Sequence, residues 1–177
     1  MSSWSEKILL IGEEIILSRL VGIEGPGPLF RWIFKIPIFF FRIGLTPFGD
    51  HILLLTTIGR KSGKPRSTPV EYRTDAATGE RIVIAGWGGR TDWRRNIQAD
   101  PHVRVQVQRR IFDAVAEPLP AAEVADWLGT VLRINPRSKR YLSRWAGDAI
   151  DADNVQSLMD AANYFPSFRL VPVGKIQ

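Results

Sequence analysis

Residues 51–97 read HILLLTTIGRKSGKPRSTPVEYRTDAATGERIVIAGWGGRTDWRRNI, and the succession of patterns within them decides the fold. Ile52 to Ile58 is a continuous apolar run of strand length, the pattern of a strand covered on both faces. A glycine loop, Gly59-Arg60-Lys61-Ser62-Gly63-Lys64-Pro65-Arg66, turns the chain back and carries four cations and no acid. Val70, Tyr72 and Thr74 then alternate with Glu71 and Arg73, so residues 68–74 predict a half-exposed strand turning at Ala77-Thr78-Gly79. Residues 81–86, RIVIAG, predict a third, buried strand that runs into a second glycine turn, Ala85-Gly86-Trp87-Gly88-Gly89. A short helix begins near Asp92 and is stopped by Asp100-Pro101.

Downstream, Val103, Val105 and Val107 alternate with Arg104, Gln106 and Gln108, and Ile111 to Glu117 pairs back across Arg109-Arg110 as a hairpin. Pro120 starts a helix striped by Val124, Trp127, Leu128, Val131 and Leu132, which Asn135-Pro136 ends. A second helix lies around Lys139 to Ala146, and a third carries Val155, Leu158, Met159 and Ala162 on one face. Ser167 to Val173 returns as a strand, assigned to a sheet edge because Pro172 cannot donate to a ladder. Several short strands joined by tight turns argue for an antiparallel barrel or strongly bent sheet over a doubly wound one.

Upstream, Leu9, Ile16, Leu20 and Ile23 share one face of an amphipathic helix over residues 5–22, ended by Gly25-Pro26-Gly27-Pro28. Leu29 to Leu45 is nearly all apolar and aromatic, but Arg31, Lys35 and Arg42 interrupt it and Pro37 breaks or kinks a helix. It is too short and too charged to span a bilayer of roughly 30 Å. Two readings stand: a helix packed on the domain's own sheet, or a basic, aromatic helix making peripheral contact with a membrane interface. The organisation is therefore an N-terminal helical extension over residues 1–50 and a site-bearing domain over 51–177 with helices in 120–163, together one globular whole.

With 177 residues and 45% apolar content the chain buries a real core. The absence of cysteine excludes a disulfide framework, a thiolate metal site and a cysteine nucleophile. No basic start leads through an apolar core to a small-residue cleavage site, so a secretory signal is rejected and the cytoplasm is the expected compartment. A net charge of +6 points to anionic partners: nucleic acid, a membrane surface or a phosphorylated small molecule. His51 and His102 have no partner at metal-ligand spacing and read as ordinary strand-start residues, so no metal is expected.

The chemistry rests on the two loops. The glycines of the first let backbone N–H groups converge on an anion, and a phosphate is its natural guest. It is not a nucleoside triphosphate loop, because three residues separate Gly59 from Gly63 and Pro65 follows Lys64 where that motif needs Ser or Thr. The second loop follows a buried strand, where missing side chains let a planar ring lie on the backbone and Trp87 or Trp93 stack on it. Asn96 lies on the same side of the short helix as Trp93. Trp93 also has a plainer reading, in which it and Ile97 pin that helix to the barrel. Arg90, Arg94 and Arg95 extend the positive field.

LLLTTIGRKSGKPRSTPVEY, IVIAGWGG and DWRRNIQADPHVRVQV together resemble the deazaflavin-dependent nitroreductase family, quinone and nitro reductases that use coenzyme F420. The resemblance spans roughly residues 29–117 and, weakly, SFRLVPV near the end. It implies an α+β fold around a split β-barrel of the FMN-binding type, mainly antiparallel. It also implies a hydride transferred between the deazaflavin and a quinone, a nitro compound or another activated unsaturated small molecule. The aromatic composition of Trp32 to Phe41 suggests a cover for a lipid-like quinone. Arg60, Lys61 and Arg66 match the positions that hold the cofactor's phosphate and acidic tail, with Ser62 and Gly63 shaping the turn. Ala85, Gly86, Trp87 and Gly88 match the backbone that lines the deazaflavin ring, with Trp93 and Asn96 beside it. Many relatives carry Ser then Lys where this chain has Gly86 then Trp87, which removes a hydroxyl and a cation near the ring. Relatives place a C-terminal tyrosine near the substrate, but neither Tyr141 nor Tyr164 lies in a motif that fixes the match, so no catalytic residue is assigned. Relatives occur as monomers and dimers.

Two rival classes accompany this reading. One is a binder of flavin (FMN) or haem on the same barrel. The other is a non-enzymatic binder of anionic membrane or nucleic acid. Nucleic acid is not expected, because the cations cluster in glycine turns and not along one face with exposed aromatics.

Overall fold

The computed structural model describes residues 36–42, 52–75, 78–134, 136 and 138–174. The expected helix over 5–22, most of the aromatic segment 29–45, and His51 lie outside the described residues. The described residues fall into two compact units, residues 36–119 with 165–174 and residues 120–164.

The first unit is a barrel. Strands β1 (Ile52–Ile58), β2 (Pro65–Thr74), β3 (Arg81–Ile84), β4 (His102–Val107), β5 (Arg110–Pro118) and β6 (Ser167–Val173) close in the order β1-β2-β3-β6-β5-β4. Every neighbouring pair is antiparallel. The α+β, mainly antiparallel class expected from the sequence is the one observed. Period-two alternation fills the interior: Leu53 and Leu55, Val70 and Tyr72, Val103, Val105 and Val107, Phe112, Ala114 and Ala116, Phe168 and Leu170 are all buried in one cluster. Each such Val, Leu or Phe side chain contributes about 1.5–3 kcal/mol by leaving water. β1 is continuously apolar from Ile52 to Leu55, where its outer face is covered as well at Leu54. Leu54, also buried, pairs in register with Gln106, whose side-chain amide donates to the carbonyl oxygen of Phe41 (3.1 Å). Phe41 lies in α1 (Ile36–Arg42) and is itself buried. Pro37 does not break this helix, since it stands in its first turn, where a missing N–H costs nothing.

Some expectations are corrected here. β6 is no edge strand, for it is flanked by β3 and β5 and completes the ring. Pro172 is tolerated because pairing with β3 stops at Leu170, so on that side no strand waits for its missing N–H. β2 starts at Pro65 and not at residue 68, while β3 ends at Ile84, two residues short of the expected limit. Only Val83 of β3 is fully buried, and its neighbours are half-covered. The β4–β5 turn is Gln108-Arg109, one residue earlier than expected, because Arg110 pairs with Val107. Gln108 takes the left-handed conformation (φ 52) there.

Helix α2 (Asp92–Ala99) joins β3 to β4 and presses Trp93, Asn96 and Ile97 inward, the i, i+3, i+4 pattern of one buried face. It ends at Asp100, whose extended backbone precedes Pro101. The Asp100 carboxylate faces the His102 ring (2.9 Å) and accepts the His102 N–H (3.1 Å). These two bonds, the ring contact first, hold its carboxyl below the ordinary value of 3.8. A depressed carboxylate adds stability above the unfolded pKa, and that stability is lost as pH falls through the folded one. The stability advantage of the natural chain over His102→Ala should therefore shrink between about pH 5 and about pH 3, read by denaturant unfolding at both.

The second unit holds α3 (Ala121–Ile134), α4 (Ser138–Ala146) and α5 (Val155–Tyr164). Val124, Ala125, Leu128, Gly129 and Leu132 of α3 and Leu158, Ala161 and Ala162 of α5 are buried. Gly129 permits close packing, because a Cβ there would stand 3.1 Å from Leu158 Cδ1. The buried stripe is rotated from the expected one: Trp127 and Val131 are half-covered and Val155 is 75% exposed. No helix of the described residues is long and apolar enough to cross a membrane.

Candidate functional site

The basic loop is the tip of the β1–β2 hairpin. Ile58 faces Pro65 in the ladder, Gly59 N–H donates to Lys64 O (2.9 Å), and Gly63 N–H returns to Gly59 O (2.8 Å). Gly63 adopts φ +62, and a Cβ on Gly59 would stand 2.8 Å from Ser62 Oγ and 3.2 Å from the Lys64 carbonyl oxygen. The two glycines thus serve the turn itself. The expected convergence of amides on an anion is not what the loop provides. Ser62 N–H also donates to Gly59 O, Lys64 N–H to Ser62 Oγ, and Arg60 N–H to Asn96 Oδ1. The loop therefore offers an anion chiefly its side chains. Lys61, Lys64 and Arg66 are exposed along it, with Ser62 and Gly63 between them.

Arg60 is turned toward α2. Its Nη1 donates to Asp92 Oδ1 (3.0 Å) and to Asn96 Oδ1 (3.1 Å). Asn96 is 4% exposed, and its Nδ2 donates to Thr57 Oγ1 (3.0 Å) on β1. Thr57 continues the inward set of Leu53 and Leu55 and is likewise buried. One asparagine thus ties the hairpin, the barrel wall and α2 together. Sequence reading did not single out Thr57 or Asp92. Their signals were a polar residue at an inward position of an apolar strand, and an acid one helical turn before Asn96.

The glycine turn leads directly into α2. Ala85 N–H donates to Pro166 O (2.9 Å), and Gly89 N–H to Gly86 O (3.1 Å). Trp87–Gly89 form a single tight turn in which Gly88 and Gly89 are left-handed (φ 61 and 70). A Cβ on Gly89 would stand 3.0 Å from Pro166 Cγ and 3.3 Å from Arg94 Nε, so that missing side chain makes room for the protein's own atoms. Trp93 is buried, its ring edge-on to Phe168 with centroids 6.0 Å apart. The fold thus brings Arg60, Trp93 and Asn96 together at α2, with Ala85, Gly86, Trp87 and Gly88 just ahead of it in the chain.

Two buried polar atoms here lack a partner among the described residues: Thr91 Oγ1, at the helix N-cap but making no capping bond, and Arg94 Nε. The exposed cations of the hairpin form a donor set suited to an anionic ligand. By contrast, a cavity of about 360 Å³ in the helical unit is lined by Asp148, Asp160, Asn154 and Tyr164 and no base. Its charge suits no phosphate. Among the described residues no cluster of His, Cys, Asp and Glu could hold a metal.

A family model described as F420H(2)-dependent quinone reductase matches residues 41–148. An F420H(2)-dependent quinone reductase of Mycobacterium tuberculosis (strain H37Rv) is 33% identical over 82 residues, 44% of this chain and 54% of that protein. The chain thus spans about half the length of the curated relatives it matches. Among solved structures, a protein from Agrobacterium tumefaciens strain C58 has a TM-score of 0.51 at 19% identity, over 72% of this chain and 51% of that one. That likeness is one of fold. A structure described as an F420-H2 dependent reductase is 27% identical over 67% of this chain and 92% of that one, with a TM-score of 0.45.

Proposed function

We propose that this chain, which belongs to the F420H(2)-dependent quinone reductase family, is an oxidoreductase that binds coenzyme F420 and reduces a quinone or similar small acceptor. The observation that carries this reading is the span of the family match: residues 41–148 contain the hairpin tip, the glycine turn and α2 in full.

The residues fit such a cofactor. Arg60, Lys61 and Arg66, with Ser62 and Gly63 shaping their turn, hold the phosphate and acidic tail by charge-assisted hydrogen bonds. The backbone of Ala85, Gly86, Trp87 and Gly88 lines the ring. Trp93 and Asn96 support this wall from behind, one by packing and the other by hydrogen bonding. When bound, the deazaflavin supplies the hydride. The chain's part is to fix the ring, keep one face open and hold an acceptor about 3–3.5 Å away. Charge developing on the acceptor oxygen is met by arginine or loop N–H donors. The cytoplasm is the proposed compartment, with peripheral membrane contact through residues 29–45 as the route to a lipid-like quinone. Phe39, 61% exposed on α1, supports that contact.

Titration with oxidised F420 should quench tryptophan fluorescence saturably. A chain that ignores F420 but takes up FMN or haem, each with its own visible spectrum, or that binds only DNA or anionic vesicles, would overturn the reading.

A further inference from the structure

We propose that Asn96, with Asp92, is a positioning residue that aims one edge of Arg60 at a phosphate-class oxoanion. This rests on reading the hairpin tip as the seat of the cofactor's phosphate, and it assigns that grip a two-point geometry.

The argument begins with what Arg60 has left to offer. All of its side-chain hydrogen bonds leave from Nη1, to Asp92 and Asn96. Nε and Nη2 have no partner among the described residues. Together they form the planar side edge of the guanidinium, whose parallel N–H groups match two oxygens of one phosphate or carboxylate. An arginine free to rotate loses rotamer entropy when it makes such a contact, whereas this one is already ordered.

The ordering has a clear source. Asn96 Oδ1 receives both the Arg60 backbone N–H (3.2 Å) and Nη1 (3.1 Å), fixing the root and the tip of the side chain from one atom. The amide cannot turn over, because that would set Nδ2 against the two Arg60 donors; Nδ2 is held instead by Thr57 Oγ1 (3.0 Å), and Thr57 is 1% exposed. Asp92 and Asn96 are one helical turn apart, so the carboxylate reaches the same nitrogen from the same face. Asp92 is the solvent-exposed arm of this clasp and Asn96 the buried one.

The test compares two probes by fluorescence titration: F420, and the same deazaflavin ending in an unphosphorylated ribityl chain. Asn96→Ala should weaken F420 by roughly tenfold and leave the unphosphorylated probe within about twofold. In an Arg60→Ala background the same substitution should change F420 affinity no further. Thr57→Val, which frees the amide without touching the loop and threatens folding less, should shift F420 in the same direction by roughly threefold. Equal losses for both probes, or an Asn96 effect that persists without Arg60, would show a merely structural role and overturn the proposal. If the natural chain binds the two probes equally, or neither, the phosphate seat falls and the clasp with it. If it prefers F420 and neither Asn96→Ala nor Thr57→Val alters that preference, the clasp alone falls.

Discussion

Arg60→Ala should weaken F420 binding by about 1–3 kcal/mol, roughly 5- to 150-fold, with the fold intact. The magnitude is that of charge-assisted hydrogen bonds at a site open to water, since the Arg60 side chain is about a quarter exposed and already shares its charge with Asp92. The fold survives because the buried Asn96 oxygen keeps the backbone N–H of residue 60, which alanine supplies equally well. Fluorescence titration measures the first quantity and denaturant unfolding the second. Arg60→Lys should recover little, as a lysine brings a point charge but no planar pair of donors. Full affinity in Arg60→Ala would remove the hairpin from the site.

The second large effect is on stability. Trp93→Ala should cost about 3–5 kcal/mol, because it empties a volume that the barrel cannot collapse to fill. Trp93 is 7% exposed within the core cluster, and its edge-to-face contact with Phe168 adds about 0.5–1.5 kcal/mol beyond area. The denaturant midpoint should fall at unchanged slope. Trp93→Phe should restore most of the loss and keep F420 affinity close to that of the natural chain. A variant that unfolds normally yet no longer binds would return this ring to the ligand's side of the wall.

Trp93 illustrates what the sequence reveals and what it hides. Alternation and spacing expose the strands because period and burial are local properties, so β1, β4, α2 and α3 are found close to their observed limits. Strand order is not local. β6 looks like an edge from Pro172 alone, and only its partners β3 and β5 make it an interior member of the ring. The same limit applies to the glycines. Nothing in GWGG says whether a missing side chain admits a ligand or a neighbouring segment, and at Gly89 the neighbours are Pro166 and Arg94. Asn96 could be placed beside the site by its spacing from Trp93. That its amide is spent on Thr57 and Arg60 required the barrel to be closed, since those partners come from a strand and a loop far earlier in the chain.

That closure also shapes how the molecule is made. The chain leaves the barrel after β5, builds the helical unit over residues 120–164, and only then delivers β6 between two strands finished long before. Until then the flanks of β3 and β5 present unpaired backbone donors and acceptors, open to another chain as readily as to their own. A nascent polypeptide on the ribosome must wait for residues 167–173 before its sheet has no free margin. Such distant pairings slow folding, so assembly of the ring should lag behind that of the helices, and a brief need for chaperone protection follows from the order of the strands alone.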